Sequence, residues 1–348
     1  MLLTLPEGFP TEVAVLERPS ADWLPAGRWT LVGDEKVRPA WELAGLPQPP
    51  GTLWVALDEH RKQLATLVPW LEHWAALPLN RHDSVVAVGG GILTDMAGLA
   101  AALFLRGIDW HAWPTTLLAQ VDAGLGGKTA VNLAAGKNLA GAFHAPRRLV
   151  ACRSFLDTLP ARELQSGKWE LIKMALLVGD LSWAETLLLE DLPAAGSIQE
   201  ALRGKALIVH VDPFEQNQRR LLNLGHTLGH ALESASGHAL LHGEAVGLGL
   251  LGACALSEDL DEGRFPAEFM SLLAAKLKPL KARISPWAAC LPFLTRDKKA
   301  FRDAEGIPAI HSILPLPGRG ALQRPVGPDL WAHAYARMAD LIARPGTP

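Results

Sequence analysis

Hydrophobic and polar positions follow two different rhythms along the chain. Up to about residue 160, short runs such as WTLVGDEKV (29–37), TLWVALDEH (52–60), SVVAVGGG (84–91) and IDWHAWPTT (108–116) read as strands. Between them lie stretches at helical spacing, including the apolar segment Met96–Leu105. This βαβ rhythm predicts a mostly parallel sheet covered by helices on both faces, with ligands at the carboxyl ends of the strands. From about Arg162 the pattern changes to long Leu/Ala-rich segments at helical spacing, broken at LPAAGS (192–197) and ISPWAACLP (284–292). The expectation is an α/β domain over residues 1–160 followed by an all-helical domain over 161–348.

Composition supports two cores, because the chain has 348 residues, 49% of them hydrophobic, and single cores stop growing near ~250–300 residues. A net charge of −3 without a Lys/Arg block argues against nucleic acid as a partner. Three cysteines, Cys152, Cys254 and Cys290, form no Cys-x-x-Cys pair and fit a reducing, cytoplasmic compartment. The longest apolar run, Ala245–Leu256, falls short of the ~18 residues of a membrane span, and MLLTLPEGFP lacks the basic start of a signal peptide. Twelve tryptophans against one tyrosine are assigned to core or rim packing.

The run VVAVGGGILTDMAG (85–98) leads a strand through Gly89, Gly90 and Gly91 into a helix expected to begin near Thr94. Such a turn lets backbone N–H groups approach a pyrophosphate at a helix N-terminus, and it also serves as a bare tight turn. Thr94 breaks the Gly-x-Gly-x-x-Gly fingerprint.

Cations are scattered through the rest: Arg106, Lys128, Lys137, Lys173, Lys205, Arg219, Lys298 and Lys299. A lone lysine is ordinarily a solvated one. Lys128 and Lys137, however, fall in Gly/Thr/Asn-rich segments, expected to be loops, where cations recruit an anionic ligand. The stretch LLNLGHTLGHALESASGHALLHGEAVGLG (221–249) places His226 and His230 on one helical face and His242 at the first turn of the next helix. Its pattern is His-x-x-x-His-x-x-Glu followed by His-Gly-Glu. A catalytic zinc needs about three protein ligands. His226 and His242 could supply two, with Glu170 of KWELIK as a third; hydrogen-bonded core histidines are the alternative, and His238 is assigned there.

At these residues the sequence resembles the 3-dehydroquinate synthases. The carriers are GGGILTDMAG, LRGID, PTTLLAQVDAGLGGKTAVN, GKNLAGAFHAP, LPARELQSGKWELIK, LLNLGHTLGHALE, HGEAV and DKK, in the family's order from Gly89 to Lys299, with a weaker DEHRK before them. The resemblance implies an α/β nucleotide-binding domain with a mostly parallel sheet, then a helical metal- and substrate-binding domain. It implies a lyase of the shikimate pathway, in chorismate and aromatic amino acid biosynthesis. The reaction converts 3-deoxy-D-arabino-heptulosonate 7-phosphate to 3-dehydroquinate and phosphate by transient oxidation of the substrate by NAD, phosphate elimination and aldol closure. A cytoplasmic homodimer is expected, with a small sugar phosphate as its ligand.

Carried over by motif, Glu170, His226 and His242 would hold zinc, with cobalt as a substitute. NAD would meet Asp34, Glu59, Lys62, Gly89, Gly90, Gly91, Asp95, Thr115, Thr116, Phe155 and Thr158, with Lys128 and Lys137. Substrate would meet Arg106, Asp122, Lys137, Asn138, Lys205 and Lys299, and His230, Lys128, Lys173, Arg219 and Asn223 would act in catalysis. His230, one turn beyond His226, is the expected proton acceptor. The chain departs from the family pattern at Trp169 (commonly Ala), Ala123-Gly124 (Ser-Ser) and Asn217 (Gly), which leaves open a shifted metal affinity or pocket shape. Other readings are a second kind of sugar phosphate cyclase, a glycerol-dehydrogenase-like oxidoreductase, and a non-catalytic binding protein on the same fold. Arg219 and the intact LNLGHTLGHALE favour the dehydroquinate branch.

Overall fold

Four consecutive valine and alanine positions, Val85–Val88, have no exposed face, as expected of a central strand covered on both sides. A computed structural model describes residues 2–237, 239–296, 300–302, 306 and 308–344. Within it these residues lie in β4 of a six-stranded parallel sheet. The elements in order are β1 (Glu12–Leu16), β2 (Trp29–Asp34), α1 (Arg38–Leu43), β3 (Leu53–Val55), α2 (Leu64–Ala75), β4 (Ser84–Gly89), α3 (Gly91–Leu103), β5 (Asp109–Pro114), β6 (Lys128–Leu133), β7 (Gly136–Phe143) and β8 (Arg148–Cys152). The sheet order is β1-β8-β5-β4-β2-β3, every neighbouring pair parallel.

The tryptophan excess finds a use under this sheet. Trp41 and Trp113 meet edge to face, 5.3 Å between centroids, in a core with Leu31, Val86, Val88, Val150 and Phe155. Trp23, Trp29 and Trp54 pack around its rim.

Lys128 and Lys137 do not lie in loops. They sit on β6 and β7, an antiparallel ribbon whose alternation buries Thr129 and Val131 and exposes Lys128. Helix α3 begins at Gly91, three residues before the expected start, because Gly90 already serves as its N-cap.

Further along come α4 (Ala161–Val178), α5 (Leu181–Leu189), α6 (Ala195–Val211), α7 (His226–Ala235), α8 (His242–Asp259), α9 (Ala267–Leu277), α10 (Trp287–Arg296), β9 (Ala300–Arg302), β10 (Pro308–Leu316), β11 (Gly320–Val326) and α11 (Pro328–Ala343). Helix α10 occupies most of the expected break at 284–292. The C-terminal region is helical in the main, built around α8, in which every residue from Gly243 to Ser257 is buried. It also carries a three-stranded antiparallel sheet, β11-β10-β9, that the all-helical expectation omits. Prolines 308, 315 and 325 and the Gly318/Gly320 turn hide these strands from a periodicity reading. Among the described residues no helix is long and apolar enough to cross a membrane.

The chain divides into two compact units, residues 1–164 with 194–214, and 165–193 with 215–348. The single boundary expected at residue 160 therefore leaves out one exchange: α6 groups with the first unit. It packs on a π-helical turn, Ala119–Ala123, and on β1.

Candidate active site

The glycines of the histidine-rich stretch explain how its side chains meet. Gly225, with φ +76°, ends one turn and starts α7 at His226. A Cβ on Gly249 of α8 would stand 1.8 Å from the Gly225 carbonyl oxygen, and one on Gly243 would stand 1.8 Å from that of Ser166 in α4. The three backbones therefore touch, and Ser166 Oγ accepts a hydrogen bond from Gly243 N at 3.1 Å. Glu170, His226 and His242 converge as a result, each offering a donor atom within 4.8 Å of the others.

Glu170 is fully buried. Its Oε1 lies 3.6 Å from His226 Nε2 and 3.4 Å from His242 Nε2, and its Oε2 lies 2.5 Å from the buried Lys173 Nζ. Each imidazole is held from behind. Nδ1 of His226 donates to the Leu224 carbonyl at 3.0 Å, and Nδ1 of His242 faces Glu233 Oε2 at 3.2 Å. Both Nε2 edges are thereby turned toward Glu170. Burial drives the His226 pKa well below 6.5, Glu170 only partly offsetting it, and burial acts the same way on His242. There the hydrogen bonds to Glu170 and Glu233 outweigh burial and push the value up to about 10. Burial thus resists a proton on His226, while the two carboxylates favour one on His242. Two imidazole nitrogens and a carboxylate, with orienting acceptors behind the rings, are the donor set of a divalent metal such as zinc. His230 meets His226 edge to face and lies tilted to His242, with centroids 5.2 Å and 5.9 Å away, and is outside the donor group. Arg219 is 2% exposed in the turn before α7, and Asn223 donates to Glu215 Oε1 at 3.0 Å.

The first unit carries the glycine turn at the carboxyl end of β4. Thr115 N donates to the Gly89 carbonyl at 2.9 Å, and a Cβ on Gly90 would lie 3.0 Å from Thr116 Cγ2. Gly91 abuts Ala123, one of the departures from the family pattern. Asp34 ends β2 beside Gly89. No side chain caps the first turn of α3, so its N–H groups suit an anion.

Charged groups gather near that turn. Lys62 Nζ lies 2.6 Å from both Asp95 Oδ2 and Asn138 Oδ1, and Glu59 Oε1 accepts from Asn132 Nδ2 at 2.7 Å. Burial raises the Asp95 pKa, Lys62 opposing it and Asp122 and Glu59 adding to it. Lys205 of α6 bonds Asp122 Oδ1 at 2.5 Å.

Other expected residues lie apart. Arg106 is exposed at φ +65° on the turn after α3 and meets none of these groups among the described residues. Phe155 belongs to the tryptophan core, and Thr158 is exposed beside it. Lys298, Lys299 and His238 fall outside the described residues. Glu233 and Ser166 were not among the expected site residues. Glu233 had a signal, standing seven residues after His226 on the same helix face.

The model of the 3-dehydroquinate synthase N-terminal region matches residues 52–166, and that of its C-terminal region matches residues 167–300. A 3-dehydroquinate synthase of Opitutus terrae is 41% identical over 295 residues, 80% of each chain. Two solved structures share the fold over 97% of this chain and 99% of theirs. One is a 2-deoxy-scyllo-inosose synthase complexed with carbaglucose-6-phosphate, NAD+ and Co2+, at TM-score 0.79 and 25% identity. The other is a 2-epi-5-epi-valiolone synthase from Streptomyces hygroscopicus with NAD+ and Zn2+ bound, at TM-score 0.75 and 27% identity. With both regions matched in order and that identity to a synthase sustained over four-fifths of its length, the chain belongs to the 3-dehydroquinate synthase family.

Proposed function

We propose that this chain turns 3-deoxy-D-arabino-heptulosonate 7-phosphate into 3-dehydroquinate and phosphate, using NAD and a divalent metal, zinc by preference. The observation that carries the metal is the meeting of Glu170, His226 and His242 with both Nδ1 atoms already engaged. Glu170, His226 and His242 would hold the ion. The glycine turn Gly89–Gly91, with Asp34, Thr115 and Thr116, would hold the dinucleotide. When bound, NAD supplies a hydride acceptor and the metal a Lewis acid that acidifies a substrate hydroxyl.

The chain's own residues do the rest. His230 takes the hydroxyl proton, directly or through water, because an imidazole one turn from the ligand faces the same site. Lys173 balances the buried Glu170 charge. Arg219, Lys128, Lys137, Asn138, Lys205 and Lys299 bind phosphate and carboxylate, with Asp122 and Asn223 as further polar contacts. Glu59, Lys62 and Asp95 belong to the cofactor's side, Lys62 and Asp95 as a charge pair that orders its surroundings. A homodimer in the cytoplasm completes the reading, in keeping with three free, buried cysteines.

The test is phosphate release from the heptulosonate phosphate, with and without added NAD and after chelation of metal. Release that needs both, with dehydroquinate formed in equal amount, is expected. Turnover of a different ketose phosphate alone would move the chain to another cyclase branch.

A further inference from the structure

We propose that Trp169 is a positioning residue that fixes the separation of Glu170 and His242, and that Gly247 is the socket it needs. The proposal rests on the metal reading above. Helices α4 and α8 meet at two points. At the first, Gly243 N donates to Ser166 Oγ at 3.1 Å, with no room for a side chain on Gly243. At the second, the Trp169 indole lies across Gly247: a Cβ there would stand 2.5, 2.7 and 2.9 Å from its Cδ2, Cε2 and Cε3 atoms. Ser166 and Trp169 are three apart on α4, and Gly243 and Gly247 four apart on α8, so one face of each helix carries both contacts. Glu170 follows Trp169 directly and His242 precedes Gly243, and these two side chains meet at 3.4 Å.

The indole is rigid and only 4% exposed, so it cannot swing into water to relieve an added methyl group. Either α8 must move off α4, taking His242 with it, or Trp169 must move, taking the backbone of Glu170 with it. Metal–ligand distances tolerate only ~0.2 Å of such error. The tryptophan, a departure from the family pattern, is therefore tied to the metal ligand beside it through the glycine opposite.

The test uses the full-length protein loaded with cobalt, read by chelator competition and by the visible band of the bound ion, with the Tm of the metal-free form alongside. The parent should bind cobalt, and His226→Ala should bind it at least ~10-fold more weakly. Gly247→Ala should cost ~10-fold or more in affinity and alter the band while Trp169 is present. In a Trp169→Ala background the same substitution should cost less than ~3-fold, since the indole it strikes is gone. An equal cost in both backgrounds, or none in either, overturns the role of Trp169 while leaving the metal site standing. A parent without bound cobalt, or His226→Ala unchanged, overturns the metal reading and this proposal with it. Should Gly247→Ala fail to fold, Trp169→Phe decides. Weaker cobalt binding with an altered band supports positioning; a lower Tm with affinity and spectrum unchanged assigns Trp169 to packing alone.

Discussion

Nδ1 of His242 lies 3.2 Å from Oε2 of Glu233, a contact that turns the opposite edge of the ring toward Glu170. A ligand held this way keeps one orientation before metal arrives. Glu233→Ala should therefore weaken zinc binding by ~10–100-fold with little change in fold, as loss of such outer partners does. Glu233→Gln, which retains an acceptor oxygen, should lose less. Chelator competition measures both, and parent-like affinity in Glu233→Ala would remove Glu233 from the metal's support.

His230 sits within ring contact of two proposed ligands and outside their donor group, which separates proton transfer from metal binding. His230→Ala should keep its zinc and lose ~10²–10⁴-fold in turnover, the range of a general base. A deuterium label at the oxidised carbon should then show a larger isotope effect if hydride transfer has become slower. Zinc lost together with activity would make His230 a ligand instead.

Legibility followed the range of the interaction. Strands β2 to β5 and the glycine turn were readable because each announces itself within ten residues by apolar runs and glycines. His226 and His230 were readable as a pair from their four-residue spacing, whereas only the family motif joins Glu170 and His242 to His226. The β6–β7 ribbon was not, since its Gly, Ala and Asn residues have weak strand preference and pairing across the ribbon supplies the order. The placement of α6 depends on Lys205 reaching Asp122, 83 residues earlier, which no window of periodicity contains. The fit of Trp169 over Gly247 likewise exists only between helices. The sequence marks Trp169 as unusual without showing what it touches.

Three of the proposed catalytic cations differ in burial, and two of them are unlike an ordinary charged surface. Lys173 is 1% exposed and Arg219 is 2% exposed, whereas Lys128 lies open on β6. Replacing any one by Ala should cut kcat/KM by ~10-fold or more, since each charge-assisted hydrogen bond to an anion contributes ~1.5–3 kcal/mol. Circular dichroism should show the fold intact. Normal kinetics in all three variants would return them to structural roles.

Gly90 leaves room for a backbone approach that a methyl group would obstruct, with Thr116 Cγ2 3.0 Å from the position of its Cβ. Gly90→Ala should shift that contact and raise the NAD Kd by about 10-fold, within the ~1–3 kcal/mol typical of overpacking. Zinc content should stay at the parent level, because the metal ligands belong to the other unit. Calorimetric titration with NAD reads the change, and unaltered affinity would mean the dinucleotide does not lie over this turn.

His111 gives the fold a pH dependence of its own. It is buried in β5, paired in register with Arg148 of β8, and its Nδ1 has no hydrogen-bond partner among the described residues. Burial first, and then the Arg148 charge, lower its pKa from 6.5 to about 4. Above pH 6.5 both folded and unfolded chains carry it neutral, so its contribution is fully present. As pH falls toward 4 the unfolded chain takes up a proton that the folded one refuses, and stability declines by up to about 3 kcal/mol. Once pH passes below the folded value, both states are protonated and no further loss comes from this residue. His111→Gln, which cannot titrate, should show a shallower decline over that window in urea melts taken at successive pH values. Carboxylates titrate at the lower end of the same range in both proteins, so the difference between the two curves isolates His111. Parallel curves from pH 6.5 down to 4 would show that the buried imidazole is protonated without cost.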